Sequence, residues 1–324
     1  MAGITSLEFR MSITSNLYPT FIKKQRTRTK AIFALGLVCF FWGTTWIASR
    51  QGVLHMPALQ MAGLRQFLGG LVYVFYFMSK GRTIPTRKEI VPILTLAFFN
   101  FTVSNGLSTW GVKYISAGLG SIIGATFPLW VVVIGLFSNK KQVSRKAIGG
   151  FLLGFGGVCV IFAEHLHDFL NPDFVFGIIL SFISVWSWAF GTIFTKEQAK
   201  SFNPYYSLGW QLILSGSFLM LVSKVTGHSI PMSEIPMASW IAIAYLVVFG
   251  SVISFIAYLY ALQKLSAEQA SVYAYINPIV TILLGALLFD EKLTIFIAIG
   301  GAITILGVYV INQALKVKAE GRRT

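Results

Sequence analysis

The sequence predicts an all-α membrane protein of ten transmembrane helices, arranged as two inverted five-helix repeats. Three observations predict it. Apolar residues fall in ten long runs, basic residues gather between alternate runs, and residues 103–161 match 253–311 without a gap.

The runs are 31–49, 58–78, 90–109, 117–137, 147–163, 175–195, 205–224, 239–260, 270–288 and 294–313. A helix needs about 20 mainly apolar residues to cross the hydrocarbon core. Lipid offers backbone groups no partners, so only helices and closed barrels can cross. Strands of a barrel would alternate apolar and polar residues, and these runs do not. Composition agrees, because 55% of residues are hydrophobic and only 11% charged, where a soluble chain is about a quarter charged. The polar, basic segment before Ala31 resembles the start of a signal peptide. However, no small-residue cleavage site follows the first run, and nine further runs come after it. The segment therefore reads as a tail on an uncleaved helix.

With the N-terminus in the cytoplasm, the inner segments carry six Lys and Arg in the tail, four in 79–89, four in 138–146 and two in 196–204. Lys264 and four after residue 313 bring the inner set to 21. The outer loops hold four: Arg50, Lys113, Lys224 and Lys292. This bias obeys the positive-inside rule and places both termini in the cytoplasm. The net charge of +15 is thus an orientation signal, and a nucleic-acid partner has no further support. The bilayer is the expected macroscopic partner, and the chain reads as a monomer or homodimer.

At a shift of 150, Ser104 meets Ser254, Ser116 meets Ser266, Ser121 meets Ser271 and Pro128 meets Pro278. Gly135, Gly150 and Gly157 likewise meet Gly285, Gly300 and Gly307. Earlier parts match at a slightly smaller shift, Trp42 with Trp188 and Pro57 with Pro204. Five spans is an odd number, so the second copy enters the membrane upside down, the arrangement associated with alternating access. The boundaries that follow are a basic tail at 1–30, repeats at 31–163 and 175–313, and a second basic tail at 314–324.

The FWGTTW start of the first span, LRQFLGG around Arg65, YISAGLGSIIGATFP at 114–128, KLSAEQASVYAYINP at 264–278 and DEKLT at 290–294 together resemble EamA-type members of the drug/metabolite transporter superfamily. The likeness covers nearly all of 31–313. It implies ten helices, cytoplasmic termini, a central cavity between the halves and peripheral fifth and tenth spans. It also implies transport of amino acids, other metabolites or drugs, with export as the direction. The family's first copy often has an acidic residue before the fifth span. Lys140 and Lys141 stand there instead, which weakens any role carried over to Glu291.

Candidate substrate-binding residues follow from helical spacing. Trp42, Thr45, Trp46 and Ser49 share one face of the first span, and Trp188, Thr192 and Thr195 answer them in the sixth. Such a face either lines a path or packs helices, with its hydroxyls bonded to backbone carbonyls. The third span offers Asn100, Ser104 and Ser108, with Asn105 beside them. The eighth offers Ser251, Ser254 and Tyr258. Ser121, Tyr273 and Asn277 complete the set, with Pro128 and Pro278 as kinks that free backbone carbonyls. Trp110 and Tyr260, near span ends, read as interfacial anchors or path residues. Arg65 is the one Lys or Arg inside a span. Two readings of it stand, a cation for a substrate carboxylate or a structural group bonded to helix carbonyls or snorkelling outward.

No Asp or Glu sits mid-span, and all four His are in loops. A carboxylate proton relay is therefore not expected, and efflux of cationic drugs is demoted. Glu268, at the cytoplasmic start of the ninth span, comes nearest. No phosphate-binding loop and no His or Cys cluster for a metal occurs, so no cofactor is expected. The expectation is a secondary transporter of a small polar metabolite, an amino acid or similar zwitterion, working as an exporter. The alternatives are a multidrug exporter of neutral compounds, a membrane enzyme or lipid-handling protein, and a non-transporting sensor.

Overall fold

The computed structural model describes residues 6–82, 84–139, 145–164, 167–199, 202–265, 267–270, 273–289 and 294–320. Lys140, Lys141, His165, Ser266, Ser271 and Glu291 lie outside them, as does the side chain of Glu268. Every regular element among the described residues is helical. Among the described residues, six stretches are long and apolar enough to cross a membrane: Thr27–Val53, Ala58–Ser79, Arg87–Gly111, Pro172–Gln198, Pro204–Val225 and Met237–Lys264. Four shorter apolar stretches are Ala117–Val131, Ile148–Ile161, Ile276–Phe289 and Ile295–Gly307. Large apolar side chains such as Phe33, Phe75 and Leu287 point outward. Water would penalise that surface and lipid does not.

In chain order the helices are α1 (Ser6–Val53), α2 (Ala58–Ser79), α3 (Arg87–Gly111), α4 (Ala117–Gly124), α5 (Phe127–Asn139), α6 (Arg145–Ala163), α7 (Pro172–Gln198), α8 (Pro204–Val225), α9 (Met237–Lys264), α10 (Tyr273–Phe289) and α11 (Ile295–Glu320). Their starts are written in the sequence. Asn171 and Asn203 accept backbone N–H bonds from Asp173, and from Tyr205 and Tyr206, while Pro172 and Pro204 occupy the first turn. Both are the expected N-terminal chemistry. Thr86 and Glu89 form a capping box at α3, and Ser116 accepts from the Leu119 N–H at α4.

Two features depart from a plain helical reading. The run 117–137 is two helices, interrupted at Ala125 and Thr126 just before Pro128. Proline fits the first turn of a helix, where no N–H is needed, and favours a break ahead of it. Pro278, by contrast, sits inside α10 without ending it. The second feature is a π-helical segment inside each of α3 and α9, at Ala97–Asn105 and Leu246–Ile253. The wider turn disturbs the regular ladder, and side chains from other helices bond the carbonyls there. Ser187 Oγ donates to Phe99 O (2.7 Å) and Gln66 Nε2 to Phe101 O (3.2 Å). Trp42 Nε1 donates to Gly250 O (3.2 Å), and Tyr73 Oη to Ser251 O (3.1 Å) and Val252 O (2.9 Å).

The helices pair across the two halves of the chain. Helix α1 packs against α9 and α10, α7 against α3, α4 and α5, α2 against α8, and α6 against α11. Exchanging the halves leaves this set of pairings unchanged. The α2–α8 and α6–α11 seams are built on glycine. A Cβ on Gly216 would stand 2.6 Å from Phe67 N and 2.7 Å from Gly63 O, and one on Gly300 would stand 2.6 Å from Gly157 O. Backbones this close exclude any side chain.

Candidate functional site

Between these pairs lies a cavity of about 120 Å³. Helix α1 supplies Trp42, Thr45, Trp46 and Ser49 to its wall, on the face their spacing predicts. Helix α2 adds Arg65, α3 adds Ser104, Asn105 and Ser108, and α4 adds Ser121. Ser184 and Trp188 come from α7, Phe255 from α9, and Tyr273 and Asn277 from α10. Most of the residues singled out from the sequence therefore meet on one wall. Asn100, Thr192, Thr195 and Tyr258 do not; they lie against a second and smaller cavity, and Ser251 and Ser254 line neither.

Among the described residues, Arg65 is the only charged one on this wall. Its side chain is only 5% exposed. Nε donates to Ser251 Oγ (3.2 Å), and the two terminal nitrogens have no hydrogen-bond partner among the described residues. No carboxylate pairs with it there, and it bonds no helix carbonyl. A buried cation left this under-bonded is costly, and an anion entering the cavity would meet open donors.

Aromatic rings form the floor. Trp42 lies 4.9 Å from Tyr273, 5.0 Å from Tyr258, 5.1 Å from Phe255 and 5.8 Å from Trp188, centroid to centroid. These are the separations of attractive aromatic pairs. Hydrogen bonds fix the ring edges, with Trp188 Nε1 donating to Tyr273 Oη (2.7 Å) and the Thr192 and Tyr258 hydroxyls paired at 3.1 Å. The rings of Trp42, Trp188, Phe255, Tyr258 and Tyr273 thus form a packed layer.

Asn277 is buried at the cavity edge. With its amide oriented to satisfy both ends, it donates to Tyr273 O (3.0 Å) and Cys39 O (2.9 Å). Thr281, one turn on, donates to Gly43 O (2.8 Å) and Asn277 O (2.9 Å). Pro278 cannot donate to the carbonyl of Ala274, which lies on the cavity wall, so that acceptor is freed there. Some hydroxyls are spent on structure. Thr45 donates to Trp42 O (2.7 Å) and Ser121 to Gly118 O (2.7 Å).

The second cavity, of about 20 Å³, lies beyond the aromatic layer and shares Trp188 and Phe255 with the first. Asn100, Thr192, Thr195, Ser207, Gln211 and Tyr258 line it. Asn100 thus parts from Ser104 and Ser108, with which straight-helix spacing grouped it. The π segment widens the turns between them and brings Asn105 onto the first wall instead. Phe127, Ser184 and Phe255 were not singled out from the sequence as cavity residues. Ser184 was legible, four residues before Trp188 on the same face. Phe127 and Phe255 carry no such signal among 28 phenylalanines. Trp110 packs its ring on Phe176 at 5.2 Å and stays outside both cavities. No group of three or more His, Cys, Asp or Glu that could hold a metal occurs among the described residues.

The model of the EamA-like transporter family matches the chain twice, at residues 29–163 and 175–313. The chain belongs to this family. Among its relatives is the uncharacterized inner membrane transporter YedA of Escherichia coli (strain K12), 28% identical over 82% of this chain and 83% of the relative. The uncharacterized transporter YoaV of Bacillus subtilis (strain 168) is 22% identical over 87% of this chain and 96% of the relative. A solved crystal structure shares the fold at a TM-score of 0.64 and 15% identity, over 88% of this chain and 97% of that one. Six long apolar helices and these relatives make the protein a membrane-embedded member of a transporter family.

Proposed function

We propose that this protein is a secondary transporter of a small carboxylate-bearing metabolite, with amino acids as the first class to test, and that it exports across the inner membrane by alternating access. The observation that carries the reading is Arg65, a buried guanidinium with open N–H donors on a wall otherwise made of hydroxyls, amides and rings. A substrate carboxylate would take up those donors, while Asn105 and Tyr273 hold its neutral polar groups and the aromatic floor takes its apolar body. Ten spanning helices in two inverted repeats, with both termini cytoplasmic, are supported by the doubled family match, the odd count of apolar runs in each half and the basic inner loops. Export rests on the family resemblance.

The aromatic floor favours a second reading, a multidrug exporter of neutral compounds. Against it stand the unpaired charge and a volume below the roughly 300–1,000 Å³ of drug-sized pockets. Counterflow in proteoliposomes separates the two. Vesicles are loaded with unlabelled amino acids and offered each labelled one outside, with and without a pH gradient. Saturable exchange of one group, independent of the gradient and lost in Arg65→Gln, is the expected result. Exchange of neutral drugs that survives Arg65→Gln moves the assignment to the second reading. Strong dependence on the pH gradient overturns the absence of a proton relay and makes Glu268 the first residue to change.

A further inference from the structure

The two cavities are lined by equivalent positions of the two halves. A shift of 146 carries Trp42 onto Trp188, Gly63 onto Gly209 and Gly70 onto Gly216. The same shift carries Trp46 onto Thr192, Ser49 onto Thr195 and Arg65 onto Gln211. The shift of 150 carries Ser108 onto Tyr258 and Thr109 onto Leu259. In each of these last five pairs the first residue lines the larger cavity and the second lines the smaller one. By the orientation that the basic loops give, the larger cavity faces outward and the smaller one inward.

We propose that the small cavity is a second substrate subsite in its closed form, an uncharged one built from Asn100, Thr195, Ser207 and Gln211. This rests on the transporter reading above and deepens it. At about 20 Å³ the cavity has room for about one water molecule. Its polar groups are meanwhile bonded to one another. Asn100 Nδ2 donates to Thr195 Oγ1 (3.1 Å) and Gln211 Nε2 to Ser207 Oγ (2.7 Å). Asn100 Oδ1 is left over, buried with no hydrogen-bond partner among the described residues. Such an acceptor is costly, and a donor supplied in another state of the protein would relieve it. When the outer cavity closes and the inner one opens, these pairs part, and their amides and hydroxyls meet the polar end of the substrate. Where the outer face presents a guanidinium, the inner face presents the Gln211 amide. The inner subsite therefore recognises its ligand by hydrogen bonds without charge, and holds a carboxylate more weakly than the outer face does.

The test is sided and reads Gln211 directly. Gln211→Cys is made in a Cys159→Ser background, because Cys159 is exposed and Cys39 is buried. A membrane-impermeant thiol reagent is expected to label it from the cytoplasmic face alone. The carboxylate that exchanges best is expected to slow that labelling at least threefold. Half-saturation for that carboxylate, measured separately from each face, is expected to rise at least fivefold from the inner face in Gln211→Ala or Thr195→Val and less than twofold from the outer. Absence of inner labelling overturns the opening of this cavity. Labelling without protection, or equal shifts from both faces, overturns the subsite. A wild-type protein that exchanges no carboxylate overturns the substrate class proposed above. Labelling still reports whether the inner cavity opens.

Discussion

The glycine seam between α2 and α8 and the aromatic layer between the two cavities are both made where the halves of the chain meet, and they are opposite kinds of contact. In the seam, backbone lies on backbone. Gly63 and Gly70 face Gly216 and Gly209; a Cβ on Gly63, Gly70 or Gly216 would come within 3 Å of a carbonyl oxygen, and one on Gly209 within 3 Å of Tyr73 Cβ. In the layer, backbones stay apart and five rings fill the space between them. Where glycine meets backbone so closely, few rotamers are left to change. A layer of rings can open by rotation once its few edge bonds release. On the alternating-access proposal the seams would serve as fixed axes, and the layer as the part that yields.

The largest effect is expected in the seam. Gly216→Leu would drive a side chain into Phe67 N and Gly63 O, an overpacking of about 1–3 kcal/mol or more. Most folded protein should be lost, read as the yield of monodisperse material after detergent extraction. Gly149→Leu, where nothing lies within 4 Å of a Cβ, should leave that yield unchanged. Equal losses in both would remove the seam from the argument.

Next in size is Asn277→Ala, which empties one edge of the larger cavity and cuts the bonds to Cys39 O and Tyr273 O. Flux should fall several-fold with yield intact. Normal kinetics would assign Asn277 to packing. Trp42→Phe keeps a ring in the layer and deletes the bond to Gly250 O. A membrane hydrogen bond of this kind is worth about 0.6 kcal/mol, so turnover should change two- to threefold with little change in melting temperature. A collapse of the fold would show that the layer bears as much as the seam. The smallest effect is expected at Thr281→Val, which removes a bond to Gly43 O but keeps the volume. Melting should shift by a degree or two and half-saturation not at all.

Much of this was legible in the residues themselves. Trp42, Thr45, Trp46 and Ser49 lie on the face that their spacing set, since a regular helix keeps positions three and four apart in line. Arg65 stood out because a lone cation in an apolar run has few reasons to be there. The π segments were not legible. Nothing in AFFNFTVSN or LVVFGSVI differs from an ordinary apolar helix, and the partners that bond their carbonyls come from Gln66, Ser187, Trp42 and Tyr73 on other helices.

The sequence by itself determined the helical class, the apolar stretches, the doubled pattern and the family, because each is a matter of composition and period along one chain. The tertiary structure decided which face each polar residue meets. Asn100 went to one cavity and Asn105 to the other, Tyr258 passed behind the aromatic layer, and Arg65 was left with a single bond. The physical reason is that a helix fixes the spacing of its own side chains, whereas their partners come from other helices, 35 residues away for Gln66 and Phe101 and 208 for Trp42 and Gly250.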